Sequence, residues 1–268
     1  MGIKTHGVVE RSNAESEFDL NWENFTRDGF AVVKNVLSSK QVERVNDSLM
    51  RIYAAQEQEF GREVLVKLNE LNVVRALCGY DEYFLTEVAI NEIMKPYVDR
   101  ALGNSYVLHS QVGTINEPQV ELFQTAWHRE LQYQHFTSSR PLAVQTIYCL
   151  DPFNKETGAT FLLPGSHLFE EFPSSAYCKS HEFQLVGEPG DVLFMNSMVY
   201  HRAGINTSKN LRRLITNTYT SPIIGQQINL SKMMDKKFAE DPFLAGLLGF
   251  RWSPAESPSS WRNSKLGA

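Results

Sequence analysis

The chain has 268 residues, 42% of them hydrophobic and 21% charged, with a formal net charge of −5 at pH 7. Those are the proportions of a soluble globular protein, and the mild negative charge leaves no electrostatic footprint for nucleic acid. Cys78, Cys149 and Cys178 form no CxxC pair, so neither a zinc framework nor a disulfide scaffold is expected, and a reducing compartment is.

No apolar run approaches the roughly 20 residues needed to span a bilayer, so no membrane association is expected. The first 19 residues are polar and contain no apolar signal region. Met1-Gly2 is followed by His6 where a myristoylation signal needs Ser or Thr. Ser264-Lys265-Leu266 resembles a peroxisomal signal but is followed by Gly267-Ala268. The expected location is cytoplasmic.

Residues 1–18 read as a weakly ordered arm. Residues 21–28 read as a helix stopped by Gly29, and the β-branched run 30–36 as a strand. Ser38 or Ser39 caps a helix reaching about Phe60, with Val42, Val45, Leu49, Ile52 and Tyr53 on one face. Residues 64–102 mix helical stretches, the last spanning 86–102 and stopped by Gly103. From Ser105 short β segments take over: 106–115, 122–130, 142–150, 159–163, 182–186, 192–196, 198–203 and 212–220, separated by turn residues such as Glu188-Pro189-Gly190-Asp191. This pattern predicts a mainly β fold with flanking helices. The expected architecture is a double-stranded β-helix (a cupin-like jelly roll) with the N-terminal helices packed on one sheet. Residues 230–250 read as helical with an interruption at Pro242. The whole chain, 1–268, is expected to be one domain, with its jelly-roll core at 105–222 and a loose tail at 253–268.

Within the segment 124–133, His128-Arg129-Glu130 stands out. On a strand, His128 and Glu130 share a face and Arg129 takes the other. An imidazole and a carboxylate side by side supply two ligands of a facial metal triad, and His201 offers the third. Eleven residues later comes Arg212, after a loop-like Gly204 to Asn210. A hairpin turning at Asn206-Thr207 would set Arg212 opposite His201, pointing a guanidinium suited to carboxylates into the same cavity. Each of these residues has a plainer reading alone: an exposed polar edge for His128 and Glu130, a structural histidine for His201, a solvated charge pair for Arg212-Arg213. Their combination at matched spacing favours the metal reading.

The ordered set resembles the phytanoyl-CoA dioxygenase family of iron(II)- and 2-oxoglutarate-dependent oxygenases. The resemblance runs from Asp28-Gly29-Phe30-Ala31-Val32-Val33 through Gly158-Ala159-Thr160-Phe161-Leu162-Leu163-Pro164-Gly165-Ser166-His167 and Pro189-Gly190-Asp191-Val192-Leu193-Phe194 to the His201 to Arg212 stretch. It implies His128, Glu130 and His201 as Fe(II) ligands, Arg212 as the partner of the distal carboxylate of 2-oxoglutarate, and Gln124 as a cosubstrate or pocket residue. The implied reaction consumes O2, releases succinate and CO2, and hydroxylates or otherwise oxidises a small to medium organic molecule. Two positions depart from the family pattern. Glu130 stands where Asp is usual, and Ala203 stands where a cosubstrate-binding Ser is common; Thr146, Tyr148 or Thr216 is expected to supply that hydroxyl. Glu130 also argues against a halogenase, which needs the carboxylate position vacated for halide.

Two other readings follow from the same residues: a catalytically inactive jelly-roll relative that binds a metabolite or a protein, and a different metal-dependent cupin-type enzyme. A small-molecule substrate is the expected partner, with the chain a monomer or homodimer. His167 is read as structural or at the pocket rim, His135 as a surface residue within reach of a substrate, Trp127 and Tyr133 as core aromatics or cavity lining with core packing the commoner fate, and Arg129 and Arg202 as pointing away from the metal. The segments 57–78 and 226 onward are expected to frame the substrate entrance.

Overall fold

The computed structural model describes residues 14–120, 123–131 and 136–266, together with the backbone of two short paired strands, β1 (Lys4–Thr5) and β2 (Val8–Val9). Tyr133 and His135 lie outside the described residues. Helix α1 (Glu17–Asp28) starts inside the expected arm, because Ser16 accepts the Asp19 N–H as a cap; Gly29 closes it. Strand β3 (Phe30–Val33) follows. Helix α2 (Ser39–Phe60) opens on a capping box between Ser38 and Gln41 and buries Val42, Val45, Leu49, Ile52 and Tyr53, the face its periodicity predicts. It approaches the sheet closely at Gly113, where a Cβ would stand 2.4 Å from Leu49 Cδ1.

After α3 (Arg62–Lys67), a short strand absent from the sequence reading, β4 (Val73–Arg75), joins the sheet edge. The helix expected over 86–102 is broken into a π-helical turn (Phe84–Ala89) and α4 (Lys95–Leu102). Asn91 causes the break: its side chain accepts the N–H groups of Ile93 and Met94 and donates to Glu87 O, competing with the helical ladder.

The remaining strands are β5 (Val107–Asn116), β6 (Ala143–Cys149), β7 (Phe161–Leu162), β8 (Phe183–Gln184), β9 (Val192–Asn196), β10 (His201–Arg202) and β11 (Arg212–Thr220), with α5 (Ser175–His181) before β8. A six-stranded antiparallel sheet has the order β3-β9-β6-β11-β5-β4, and a three-stranded one the order β10-β7-β8. The two sheets do not close into a barrel among the described residues. One face of the large sheet carries the main core with α1, α2, α4 and the C-terminal segment, including Leu49, Leu85, Tyr148, Phe194 and Tyr219. The other face packs toward the small sheet through Ile147, Leu162, Leu193, Met195 and Val199. The fold is therefore mainly antiparallel β with flanking helices, of the jelly-roll type.

Residues 123–130 are not the expected strand. They hold a 3-10 turn (Phe123–Thr125) and touch β10 through a single bridge, His128 to His201. Gln124 O accepts the Ala203 N–H while His128 pairs with His201. The segment thus spends four residues where β10 spends two, and the surplus folds into the turn. Beyond β11, α6 (Leu230–Met233) and α7 (Pro242–Leu247) follow. Pro242 opens α7 behind an Asp241 cap, where a missing N–H costs nothing. The tail contains α8 (Pro258–Lys265), capped by Ser257 and fully exposed.

Candidate metal centre

His128 and His201 exchange backbone hydrogen bonds, both 3.0 Å, which brings their imidazoles to 4.3 Å between centroids. Two residues on, Glu130 N–H donates to Ser197 O. Together these bonds bring one ligand atom from each of His128, Glu130 and His201 within 4.8 Å of one another. Each imidazole Nδ1 meets a backbone carbonyl, Ala126 O at 2.8 Å for His128 and Val199 O at 3.0 Å for His201. A carbonyl only accepts, so each Nδ1 carries the proton and each Nε2 keeps its lone pair for a cation.

Burial favours the ligating forms of both histidines. Desolvation lowers the His128 pKa, and desolvation with the neighbouring His128 takes His201 down to about 3. Both rings are therefore neutral at pH 7. Desolvation pushes the Glu130 carboxyl up to about 7, against the pull of Gln145, Arg75 and Thr218. A bound cation would supply the compensation this carboxylate lacks.

Arg212 lies across the cavity, reached by a route other than the expected hairpin. His201 pairs with Leu162 in the small sheet, whereas Arg212 pairs with Asn116 in the large one. The intervening loop crosses from one sheet to the other. Asn206, fully buried, donates to Asn116 O and Asn210 O and sets the crossing. The crossing is tight at Gly158 (φ +71), where a Cβ would lie 2.5 Å from Gly204 O. The Arg212 guanidinium is fully buried over the Phe153 ring, and none of its three nitrogens has a hydrogen-bond partner among the described residues. Desolvation draws it down to about 10, with Cys149 and Asp151 pushing back. It shares with His128, Glu130, His201 and Gln124 a cavity of 270 Å³. Buried charges in proteins are normally paired, so this one fits the carboxylate of a ligand.

The family model described as phytanoyl-CoA dioxygenase matches residues 25–214. The chain belongs to the phytanoyl-CoA dioxygenase family. An uncharacterized protein of Mycobacterium tuberculosis is 32% identical over 222 residues, covering 80% of each chain. An iron/alpha-ketoglutarate-dependent dioxygenase of Penicillium thymicola, penM, is 24% identical over 230 residues, covering 80% of this chain and 72% of that one. The solved structure of the non-heme alpha ketoglutarate dependent epimerase SnoN from nogalamycin biosynthesis superposes with a TM-score of 0.60 at 18% identity, covering 76% of this chain and 80% of that one; the likeness is one of fold.

Several expected residues of this phytanoyl-CoA dioxygenase family member lie elsewhere. Thr146 does not reach the cavity. It faces the helices, where its hydroxyl accepts from Asn217 Nδ2, and Tyr148 on the same face donates to Val88 O. The register explains this: Leu214 and Thr216, in phase with Arg212, pair with Cys149 and Ile147, so the cavity face of β6 is the odd-numbered one. Thr216 does line the cavity, as do Gln145 and Thr160, which the sequence reading missed. Gln124 lines it from the 3-10 turn, with Oε1 unpartnered among the described residues. The expected framing segments contribute Val73, Arg75 and Gln227; Phe243, Leu247 and Phe250 pack into the main core instead.

Arg129 points away from the candidate metal site but is 1% exposed and forms no part of a rim. Its guanidinium lies 4.0 Å from the Tyr200 ring and donates to Ser166 O and Phe169 O. The segment carrying His128 and Glu130 is thereby tied to the residue preceding His201.

Proposed function

We propose that this family member is an Fe(II)- and 2-oxoglutarate-dependent dioxygenase that hydroxylates, or otherwise oxidises, a small to medium organic substrate with release of succinate and CO2. One observation carries the reading: a buried guanidinium without a protein partner shares a cavity with a His-Glu-His group of chelating separation. Two imidazoles and a carboxylate suit iron(II) and leave positions for other ligands. The Penicillium thymicola relative, named as an iron/alpha-ketoglutarate-dependent dioxygenase, supports the same metal and cosubstrate.

His128, Glu130 and His201 would hold the iron. When bound, the iron supplies the redox chemistry with O2 that decarboxylates the 2-oxo acid and oxidises the substrate. The protein's own contribution is positional. The carbonyls of Ala126 and Val199 lock the two rings in the Nε2-ligating tautomer. Glu130 gives up its proton on binding, and its longer side chain does the work of the usual Asp. Arg212 receives the distal carboxylate as a bidentate partner. The hydroxyls of Thr216 and Thr160 line the same cavity, and either can replace the Ser missing at Ala203. Ile147 and Leu214 keep the cavity wall apolar and limit water around the reacting groups.

Adding Fe(II) and 2-oxoglutarate without oxygen should produce a visible charge-transfer band. Succinate should form once air is admitted, and Arg212→Ala should abolish it. Failure of the purified protein to bind iron would favour the inactive relative. Metal binding with activity independent of 2-oxoglutarate would favour another metal enzyme.

A further inference from the structure

At the far side of the cavity from Arg212 stands a second arginine, Arg75, on the edge strand β4. Its register partner is Val112, which pairs in turn with Thr216. Thr216 lies four residues along β11 from Arg212, roughly 13 Å at strand spacing. A ligand anchored on Arg212 therefore leaves Arg75 to another molecule. The Arg75 side chain is 29% exposed, whereas Arg212 is sealed, so Arg75 marks the open edge of the cavity.

Arg75 is held rigidly. Nε donates to both oxygens of Glu70, at 2.8 and 3.1 Å; Nη2 lies 2.8 Å from Glu70 Oε1; and Nη1 donates to Gln227 Oε1 at 3.0 Å. A guanidinium has five N–H groups. Glu70 takes two and Gln227 one, which leaves two, and the Gln227 amide keeps its own N–H donors. The entrance thus offers fixed hydrogen-bond donors whose positive charge is already paired with Glu70. Arg62, on α3, is likewise engaged by Glu57 and Glu117.

We propose that Arg75 selects the substrate at the cavity mouth, and that it accepts a neutral hydrogen-bond acceptor, a carbonyl or hydroxyl oxygen, over a carboxylate or a phosphate-bearing coenzyme A thioester. The proposal rests on the oxygenase reading, in which metal and cosubstrate take up the ligand triad and Arg212. The Arg75 guanidinium is already paired with the Glu70 carboxylate through Nε and Nη2, so an incoming anion would gain little from it. A neutral oxygen takes the two remaining N–H groups without repulsion from that carboxylate. The apolar walls of Val73, Val112 and Ile147 then receive the rest of the molecule.

The test uses the full chain with Fe(II) and 2-oxoglutarate under anaerobic conditions. Three probes share one acyl chain: octanamide, octanoate and octanoyl-coenzyme A. Dissociation constants are read from the shift of the thermal unfolding midpoint. Octanamide should bind about tenfold more tightly than either anion, and Arg75→Met should weaken it about tenfold. Glu70→Gln, which frees the charge, should narrow or reverse the preference; it also keeps the test decisive if Arg75→Met does not fold. The affinity for 2-oxoglutarate, which belongs to Arg212, serves as the internal control. Equal binding of the three probes, preference for octanoate or octanoyl-coenzyme A, no binding at all, or an Arg75→Met protein that binds octanamide normally would each overturn the proposal. If the charge-transfer band is missing, the oxygenase reading itself fails; if the band is present and the probe order is wrong, only the role of Arg75 falls.

Discussion

Arg212 carries its charge in the interior without a hydrogen-bond partner among the described residues, whereas Arg213, one position on, is bonded to Asp151 through its backbone N–H, Nε and Nη2. Alternation along β11 sends one to the cavity and the other to an ion pair. An unpaired buried charge is a burden to the ligand-free protein. Arg212→Met should therefore leave the apo protein as stable or about 1–4 kcal/mol more stable, while binding of 2-oxoglutarate is lost. Denaturant unfolding with cosubstrate titration checks this, and a large loss of apo stability would count against it.

Glu130 permits a signed test. Its carboxyl is raised to about 7 by burial, so its contribution to stability is full below the unfolded value, about 4.3. That contribution is lost as pH rises through 7. Glu130→Gln should therefore stabilise the apo protein at pH 8 and make no difference at pH 4. By the same logic, metal affinity of the unaltered protein should fall about tenfold per pH unit below 7, because binding must displace the proton; isothermal titration in buffers of different ionisation enthalpy would count the protons released.

At the scale of elements, the proposed site depends on two places where segments cross. The first is the bridge between 128–130 and β10, clamped from behind by Arg129 on Tyr200 and on the carbonyls of Ser166 and Phe169. Outer groups that orient ligands typically carry 10–100-fold in metal affinity. Arg129→Met should reduce Co(II) affinity by about that factor, with only a modest drop in the apo unfolding midpoint. Equal affinity would make Arg129 a packing residue alone. The second is the passage of 203–211 over Gly158. A Cβ there meets backbone atoms of Gly204, Ile205 and Asn206 at 2.5–2.7 Å, on a positive φ. Gly158→Ala should cost more than about 1 kcal/mol and weaken 2-oxoglutarate binding as well, since the same loop leads into Arg212. Chemical denaturation and cosubstrate titration read the two effects separately.

For the whole molecule, metal and cosubstrate should act as linked stabilisers. Each ligand at a hundredfold excess over its dissociation constant adds about 2.7 kcal/mol to unfolding. The increment from 2-oxoglutarate should need the metal and vanish in Arg212→Met. Differential scanning calorimetry of the four combinations would test this coupling; additive, metal-independent stabilisation by 2-oxoglutarate would argue against a shared site. The architecture makes such coupling reasonable. The large sheet carries Arg212 and the small sheet carries His201, so a metal with its chelate would join the two sheets across the cavity.

The amino-acid sequence alone determined the mainly β class, the amphipathic face of α2, the strands 192–196 and 212–220, and the candidate group His128, Glu130, His201 and Arg212. Those features rest on local periodicity, capping and spacing, which a chain carries without its partners. Register and crossing were decided only in three dimensions. Every residue of β6 is buried, so its sequence shows no polar face. Only pairing with β11 reveals that Gln145 and Ile147, rather than Thr146, look into the cavity. The same holds for Arg212, whose distance from His201 in sequence resembles a hairpin although the two residues belong to different sheets. Spacing brought them to notice, and the packing of one sheet on the other brings them to one cavity.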